Sequence, residues 1–392
     1  MIIFDVFIIF FMYLDTKIYK KLVTPLTALL TPIITSLCLL NILEPKMSNK
    51  KMEIYLLITA LIWITLGIII RIIFFRGKKA KKINKKITEN FTKKSIKRLG
   101  ILVIFIILVS IFISAKKYGI GNLKGKVDGI LAHVFILSSV FLSIELINKK
   151  DLIFKILYLM YVILLLLIGG KYQLFLFVLA SFLIKMENEK KISLKILKKI
   201  ILIILLVFAI FSGVYYINFY LQGLNINFSN FFNFIINHIK YYFLSPMYIG
   251  HEMLKFSGQG NFKIAFTPFI NIYEFILGSK NYINPILPFW TFDGITSNVG
   301  GLIPELVYSI GNIGMYLYMT FLGIISYVLE NLTSKNKIWV YSNLILKSSL
   351  ILCFFNNVFT VLGYVERVLG TIIITIVIIM FKKIKKFKCC KH

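Results

Sequence analysis

The sequence predicts an all-α polytopic integral membrane protein with about eleven transmembrane helices and one large extracytoplasmic loop. Three observations predict this class. Hydrophobic residues make up 58% of the chain and the mean hydropathy is +0.85, well above the values of soluble domains. Apolar stretches of about 20 residues, enough to cross a bilayer as a helix, recur along the chain. Lysines cluster mainly between these stretches.

The apolar stretches place each predicted helix. Because unpaired backbone groups are costly in lipid, each stretch is interpreted as a continuous helix. The first stretch lacks the basic n-region and small-residue cleavage site of a signal peptide, so we expect a short first helix. The predicted helices lie near residues 2–14, 22–42, 53–75, 99–115, 128–148, 152–169, 171–184, 200–222, 305–330, 338–356 and 365–381.

Basic residues in the loops predict the orientation, since Lys and Arg favour the cytoplasmic side. Residues 76–98 carry eleven of them, residues 185–199 carry six, and the tail from residue 382 carries six. With eleven crossings these segments share one side, so the amino terminus is expected outside and the carboxyl terminus in the cytosol. The net charge of +30 follows from this topology, and nucleic acid is not expected as a partner.

The longest connection divides the chain into three predicted regions. Residues 1–222 form eight helices with basic cytoplasmic loops, residues 223–304 form an extracytoplasmic cap, and residues 305–392 form three helices and a basic tail. Eighteen aromatics in residues 223–300 and five prolines in residues 246–304 distinguish the cap from a disordered linker. We therefore expect a folded cap that packs on the membrane face or on its own short helices.

Motifs for soluble cofactors and metals are missing from the sequence. It has no Walker A sequence, no GxGxxG, no HExxH and no CxxC pair, and its four histidines are scattered. No cofactor and no metal site is therefore expected. Chemistry would depend on the acids, bases, cations and aromatics of the cap, which suit a diphosphate headgroup and sugar rings at the membrane surface. An interfacial aromatic belt with solvated lysines is the alternative interpretation.

Three cationic residues lie at unusual places near or within predicted helices. Lys171 follows two glycines at an outward turn, where it would hold a phosphate or simply reach water. Lys347 lies within the predicted tenth helix and needs a partner or a wet cavity, and Glu145 is a candidate partner. Arg367 follows Glu366 near the outer end of the last helix, where it would meet the cap or anchor at the membrane edge.

Three local patterns resemble those of the O-antigen or oligosaccharide repeat-unit polymerases, the Wzy-like proteins. These are the Gly-Gly-Lys turn at residues 169–171, the Tyr-Tyr and Ser-Pro pairs in residues 241–246, and the run TSNVGGLIPELVYSIGNIG at residues 296–314. The layout of about eleven helices with a late external loop covers the full length. The chain departs from the family in having Lys171 where arginine is usual, and lysine lacks the bidentate fork.

The resemblance implies a GT-C-like glycosyltransferase of the bacterial cytoplasmic membrane. Its substrates would be undecaprenyl-diphosphate-linked oligosaccharides, its other partners would be membrane lipids, and a chain-length regulator is left open. Such a transfer needs a base for the acceptor hydroxyl and cations for the leaving diphosphate. The candidate bases are Asp293, Glu305 and His251, and the candidate substrate-binding residues are Lys171, Lys240, Tyr241, Tyr242, Asn298 and Arg367.

Three other functions remain open from the sequence. A ligase that moves finished polymer to another lipid shares the topology, although its usual His-Asn pair is absent because Ser297 precedes Asn298. A lipid-linked sugar exporter would distribute charges through many helices and commonly shows a repeat. A noncatalytic scaffold would tolerate point changes in the cap.

Overall fold

The computed structural model describes residues 2–43, 50–75, 93–119, 151–167, 171–187, 193–223, 227–279, 281–292 and 295–389, together with a few residues between 133 and 146 and residue 189. Long α-helices dominate these ranges. In chain order they are α1 Ile2–Tyr19, α2 Pro25–Leu43, α3 Lys50–Phe75, α4 Lys93–Tyr118, α5 Leu152–Leu167, α6 Lys171–Met186, α7 Leu194–Leu221, α8 Phe228–Met253, α9 Thr267–Ile276, α10 Leu302–Lys335, α11 Val340–Leu352 and α12 Leu362–Cys389.

Five of these helices contain stretches long and apolar enough to cross a bilayer, which confirms the prediction of an α-helical membrane protein. The stretches are Pro25–Ile42, Lys50–Phe75, Lys93–Tyr118, Leu302–Lys335 and Leu362–Met380. The predicted bounds of α3 and α10 are confirmed to within about five residues, a normal spread for helix ends. The predicted helix at residues 128–148 lies mostly outside the described residues.

The predicted cap region contains a longer helix than the sequence suggested. Helix α8 runs for 26 residues, because residues 228–245 hold no glycine or proline and Pro246 is accommodated within the helix. Short 3₁₀-helices lie at Phe262–Phe266, Lys337–Trp339 and Val358–Thr360. Strands β1 (Trp290–Phe292) and β2 (Ile295–Ser297) form an antiparallel hairpin in which Trp290 lies opposite Ser297.

The chain forms two compact units, each assembled from distant segments. The first consists of residues 1–81, 238–336 and 346–365. The second consists of residues 82–237, 337–345 and 366–392. Most of the predicted cap, residues 238–304, belongs to the first unit.

Helices α1, α3 and α10 run parallel in the first unit. The Tyr19 hydroxyl donates to the Gly67 carbonyl at 2.9 Å, and the Trp63 indole N–H donates to the Met319 carbonyl at 2.9 Å. At the far end, the Lys335 ammonium lies 4.5 Å from the Phe74 ring centroid. The chain therefore enters α3 and α10 at one end of this unit and leaves both helices at the other.

Helices α4, α5 and α6 build the apolar core of the second unit. Ile104, Leu157 and Phe177 are buried there, and the Tyr161 and Phe177 rings stack with centroids 5.0 Å apart. Helix α12 contributes Glu366, whose Oε1 lies 2.8 Å from His133 Nδ1.

Candidate functional site: a broken helix and the polar residues around it

Helix α10 is broken at Gly311, where the backbone turns to φ 72° and ψ 177°. This conformation is essentially restricted to glycine. The break removes the intrahelical partners of the Val307 and Tyr308 carbonyls. These carbonyls instead accept the backbone N–H groups of Gly258 and Gly260, each at 2.9 Å. The loop that contains Gly258 and Gly260 thus provides hydrogen-bond donors for the carbonyls at the break, as a membrane environment requires.

Polar side chains meet directly at the break. Asn312 Oδ1 accepts hydrogen bonds from the Tyr55 hydroxyl at 2.7 Å and from Ser257 Oγ at 3.0 Å. We refer to Tyr55, Ser257 and Asn312 as the break cluster. Ser257 and Asn312 are exposed, so the cluster can be reached from outside the chain.

His251, Glu252 and Lys255 lie at the end of α8, shortly before Ser257. Lys255 Nζ pairs with Glu252 Oε1 at 2.6 Å. Burial lowers the pKa of the His251 imidazole below its usual 6.5, and the positive charges of Lys255 and Lys51 lower this pKa further against the opposing charge of Glu252. The imidazole is therefore mainly neutral near pH 7, the form that accepts a proton.

Glu305 lies buried in the first turn of α10, and both of its carboxylate oxygens are engaged. Oε1 accepts the Gly300 N–H and Oε2 accepts the Asn357 N–H, each at 2.9 Å. The carboxylate thus holds together two loops that are 57 residues apart in sequence. This contact gives Glu305 a structural task, and its predicted role as a base stays a prediction.

Tyr241 and Asn298 lie near the hairpin of the first unit. The Tyr241 hydroxyl donates to the Thr296 carbonyl, which joins α8 to β2 and leaves the exposed ring free to stack. Asn298 is half-buried just after β2. The Trp290 ring lies against Tyr308 with centroids 5.2 Å apart, so the hairpin packs on the first half of α10.

The remaining candidates are not brought to the break cluster by any described contact. Asp293 lies outside the described residues. Lys171, Lys240 and Tyr242 lie within helices, and their side chains are outside what the structure describes. Arg367 is buried within α12. Lys171 and Arg367 belong to the second unit, whereas Tyr241, His251, Asn298 and Glu305 belong to the first.

A second polar group, buried among the helices of the first unit, consists of Lys21, Glu330 and Lys347. We call it the ion cluster. Glu330 pairs with Lys21 at 2.5 Å and with Lys347 at 2.6 Å, and the Lys347 ammonium also donates to the Val23 carbonyl at 2.8 Å. Lys347 and Glu330 are almost fully buried, with side-chain exposures of 1% and 0%.

The ion cluster corrects the predicted pairing of Lys347 with Glu145. Lys347 pairs with Glu330, whereas Glu145 accepts a hydrogen bond from the Tyr341 hydroxyl. Tyr341 and Lys347 are six residues apart on α11, and their side chains leave the helix axis about 120° apart. Lys347 and Tyr341 therefore bind two different carboxylates, those of Glu330 and Glu145.

Sequence reasoning missed Tyr55, Ser257 and Asn312. The run at residues 296–314 contains Gly311 and Asn312, and a glycine followed by asparagine inside an apolar stretch is a signal for a helix break. No local signal connects Tyr55 or Ser257 to that position. Among the described residues, no three His, Cys, Asp or Glu side chains gather as a metal site would require.

The spanning helices and the broken α10 define an α-helical integral membrane protein. The chain belongs to the family of unknown function DUF6337, whose family model matches residues 60–388. The matched range includes every candidate site residue named from the sequence. No curated protein and no solved structure matches the chain.

Proposed function

We propose that this protein is a membrane glycosyltransferase that joins undecaprenyl-diphosphate-linked oligosaccharide repeat units into surface polysaccharide. In this proposal the chain crosses the bacterial cytoplasmic membrane about eleven times in a GT-C-like arrangement. Its amino terminus lies outside and its carboxyl terminus lies in the cytosol. The resemblance of residues 169–171, 241–246 and 296–314 to repeat-unit polymerases suggests this reaction.

The observation that carries the proposal is the break cluster beside His251 and Lys255. The break lies near the end of the first unit where the chain enters α3 and α10. The chain leaves α3 at the opposite end, directly before the eleven basic residues of residues 76–98. Because such basic segments favour the cytosol, this arrangement supports an external position for the break cluster, where the proposed substrates, flipped glycolipids, would lie.

The side chains around the break have the chemistry that glycosyl transfer needs. The acceptor hydroxyl oxygen bonds to the anomeric carbon of the donor while its proton passes to a base. The bond from that carbon to the diphosphate oxygen breaks, and the diphosphate leaves with the electron pair. Neutral His251 suits the base, and the cations Lys255 and Lys51 suit the leaving diphosphate. Lys171, Lys240 and Arg367 remain proposed diphosphate ligands.

Of the two predicted bases that the structure describes, His251 and Glu305, the observations favour His251. Both oxygens of Glu305 already accept backbone N–H groups, so proton transfer there would disturb two loops. His251 is half-buried, which supports a neutral imidazole near other polar groups. Asp293 stays a candidate on sequence grounds, with Tyr241, Tyr242 and Asn298 proposed to contact sugar rings.

The experiment is complementation of a deletion strain, read as a gel profile of surface glycan. We expect the deletion to reduce the ladder to single repeats and the wild-type gene to restore it. His251→Ala should fail to restore the ladder, whereas the matched control His238→Ala, on the same helix α8, should restore it at equal protein level. A full ladder in the deletion strain would refute the proposal. A reporter fusion that locates residues 223–304 in the cytosol would refute it as well.

Two rival functions give different products in the same strain. Loss of a ligase would leave long polymer on the carrier lipid. An exporter is favoured by one observation, the ion cluster, because buried charges among spanning helices often mark transport pathways. Loss of an exporter would leave lipid-linked single repeats on the cytosolic face, where externally added glycosidases cannot reach them.

A further inference from the structure

A stripe of exposed apolar side chains runs along the Phe262–Phe266 3₁₀-helix and α9. Its spacing of four, three, four and three residues places the members on one side of a helical segment. All are at least 40% exposed, and the last is 73% exposed. The stripe consists of Phe262, Phe266, Phe269, Tyr273 and Ile276.

The opposite side of the same segment is fixed to the protein. Ala265, Thr267 and Pro268 are buried. Asn271 makes two hydrogen bonds with the backbone of Ile283, accepting its N–H at 2.7 Å and donating to its carbonyl at 2.9 Å. The segment therefore cannot rotate freely, and the stripe is held facing outward.

The stripe adjoins a helix that crosses the membrane. The Phe266 ring contacts the Tyr318 ring of α10 with centroids 6.1 Å apart. Along α10 the apolar side chains Ile313, Leu317 and Phe321 are 78%, 66% and 63% exposed, as expected of side chains that face lipid. An exposed apolar surface that continues from a spanning helix matches the acyl region of a bilayer.

We propose that residues 262–276 lie flat in the membrane surface, with the stripe inserted among lipids at the end of the first unit where α10 begins. The exposed stripe is thus covered by membrane lipid. This inference requires only that the protein is membrane-embedded, and it goes beyond the proposed transferase. Gly258 and Gly260 precede the stripe and bind the broken part of α10, so the break cluster would lie at headgroup depth.

Site-directed spin labelling tests the inference with two adjacent positions on α9. Single cysteines replace Tyr273, on the stripe, or Glu274, off the stripe, in a full-length chain whose four native cysteines are changed to serine. The labelled proteins are placed in nanodiscs of phosphatidylethanolamine and phosphatidylglycerol. Collision of the label with oxygen, which concentrates in lipid, is compared with collision with a water-soluble nickel chelate.

We expect the ratio of oxygen to nickel collisions to be several-fold higher at position 273 than at position 274. Equal ratios, or a higher ratio at 274, would overturn the inference. Spectral broadening at 273 that disappears on dilution with unlabelled protein would also overturn it, because a second copy would then cover the stripe. Ile276→Cys provides a second stripe position if Tyr273→Cys fails to give a monodisperse protein. The test does not depend on polymer synthesis, so its outcome is independent of the proposed function.

Discussion

The ion cluster and the break cluster both place polar side chains among apolar helices of the first unit, but they differ in exposure and charge. In the ion cluster, Glu330 and Lys347 are almost fully buried and bound to each other. In the break cluster, Ser257 and Asn312 are exposed and uncharged. The cations near the break, Lys255 and Lys51, act on a half-buried histidine.

We interpret this difference as one between polar groups that hold the fold together and polar groups that are available to a substrate. A buried charge requires a partner, because an isolated charge in an apolar interior costs several kcal/mol. At the break, the glycine N–H groups already satisfy the freed carbonyls. The side chains there can therefore face a substrate. We interpret the ion cluster as holding the helices together and the break cluster as part of the site.

The largest expected effect is from Lys347→Met. This change leaves Glu330 with Lys21 as its remaining partner in the ion cluster and removes the buried contacts of the Lys347 ammonium, so it should destabilise the protein by about 3 kcal/mol. The loss of stability is measured as a lower thermal midpoint in detergent, with the disappearance of monodisperse protein on heating as the readout. The double variant Lys347→Met with Glu330→Gln should recover part of the loss, because it also removes the buried negative charge.

Lys335→Met is the matched control for the ion cluster. Lys335 is exposed and lies over the ring of Phe74, so its removal should cost less than about 1 kcal/mol. Equal losses for Lys335→Met and Lys347→Met would contradict the structural role given to the ion cluster.

Gly311→Ala tests the break itself. A side chain at φ 72° and ψ 177° is strained, and we expect a cost of about 1–3 kcal/mol together with loss of the polymer ladder. The matched control is Gly213→Ala in α7, where an added Cβ would lie 4.0 Å from Leu166 and should be tolerated. A Gly311→Ala protein with unchanged midpoint and full ladder would show that the break is unimportant.

Glu305→Gln distinguishes a structural carboxylate from a catalytic one. An amide can accept only one of the two N–H groups that the carboxylate accepts, so we expect a loss of about 1–2 kcal/mol. Activity per folded molecule should stay close to that of the wild type. A variant with an unchanged thermal midpoint and no polymer would instead support the catalytic role predicted from the sequence.

Lys255→Ala should lower the rate through its proposed contact with the leaving diphosphate, and it should also shift the pH dependence, which is the smallest expected effect. In the proposed function neutral His251 is the base, and its lowered pKa should keep the wild-type protein active at lower pH than an ordinary histidine would allow. Removing Lys255 takes away a positive charge and releases Glu252, and both changes raise the pKa of His251. The acid limb of the initial rate, measured with lipid-linked repeat units between about pH 5 and 8, should move to higher pH. The exposed Lys263→Ala control should leave the limb in place.

The sequence by itself determined the membrane class and the approximate bounds of most described helices. Both follow from hydropathy, which acts locally along the chain and sets where a helix can span lipid. Residues 296–314 were identified by their resemblance to a family pattern, which is also local in sequence. The glycine at position 311 fixes a backbone angle that other residues rarely adopt.

Only the tertiary structure decided which polar groups meet. Tyr55 and Asn312 are 257 residues apart in sequence. Lys347 pairs with Glu330 and not with the predicted Glu145. The use of Glu305 as a link between two loops was also beyond the sequence. The physical reason is that a polar contact depends on which faces of distant helices pack together, and hydropathy along one chain does not specify those faces.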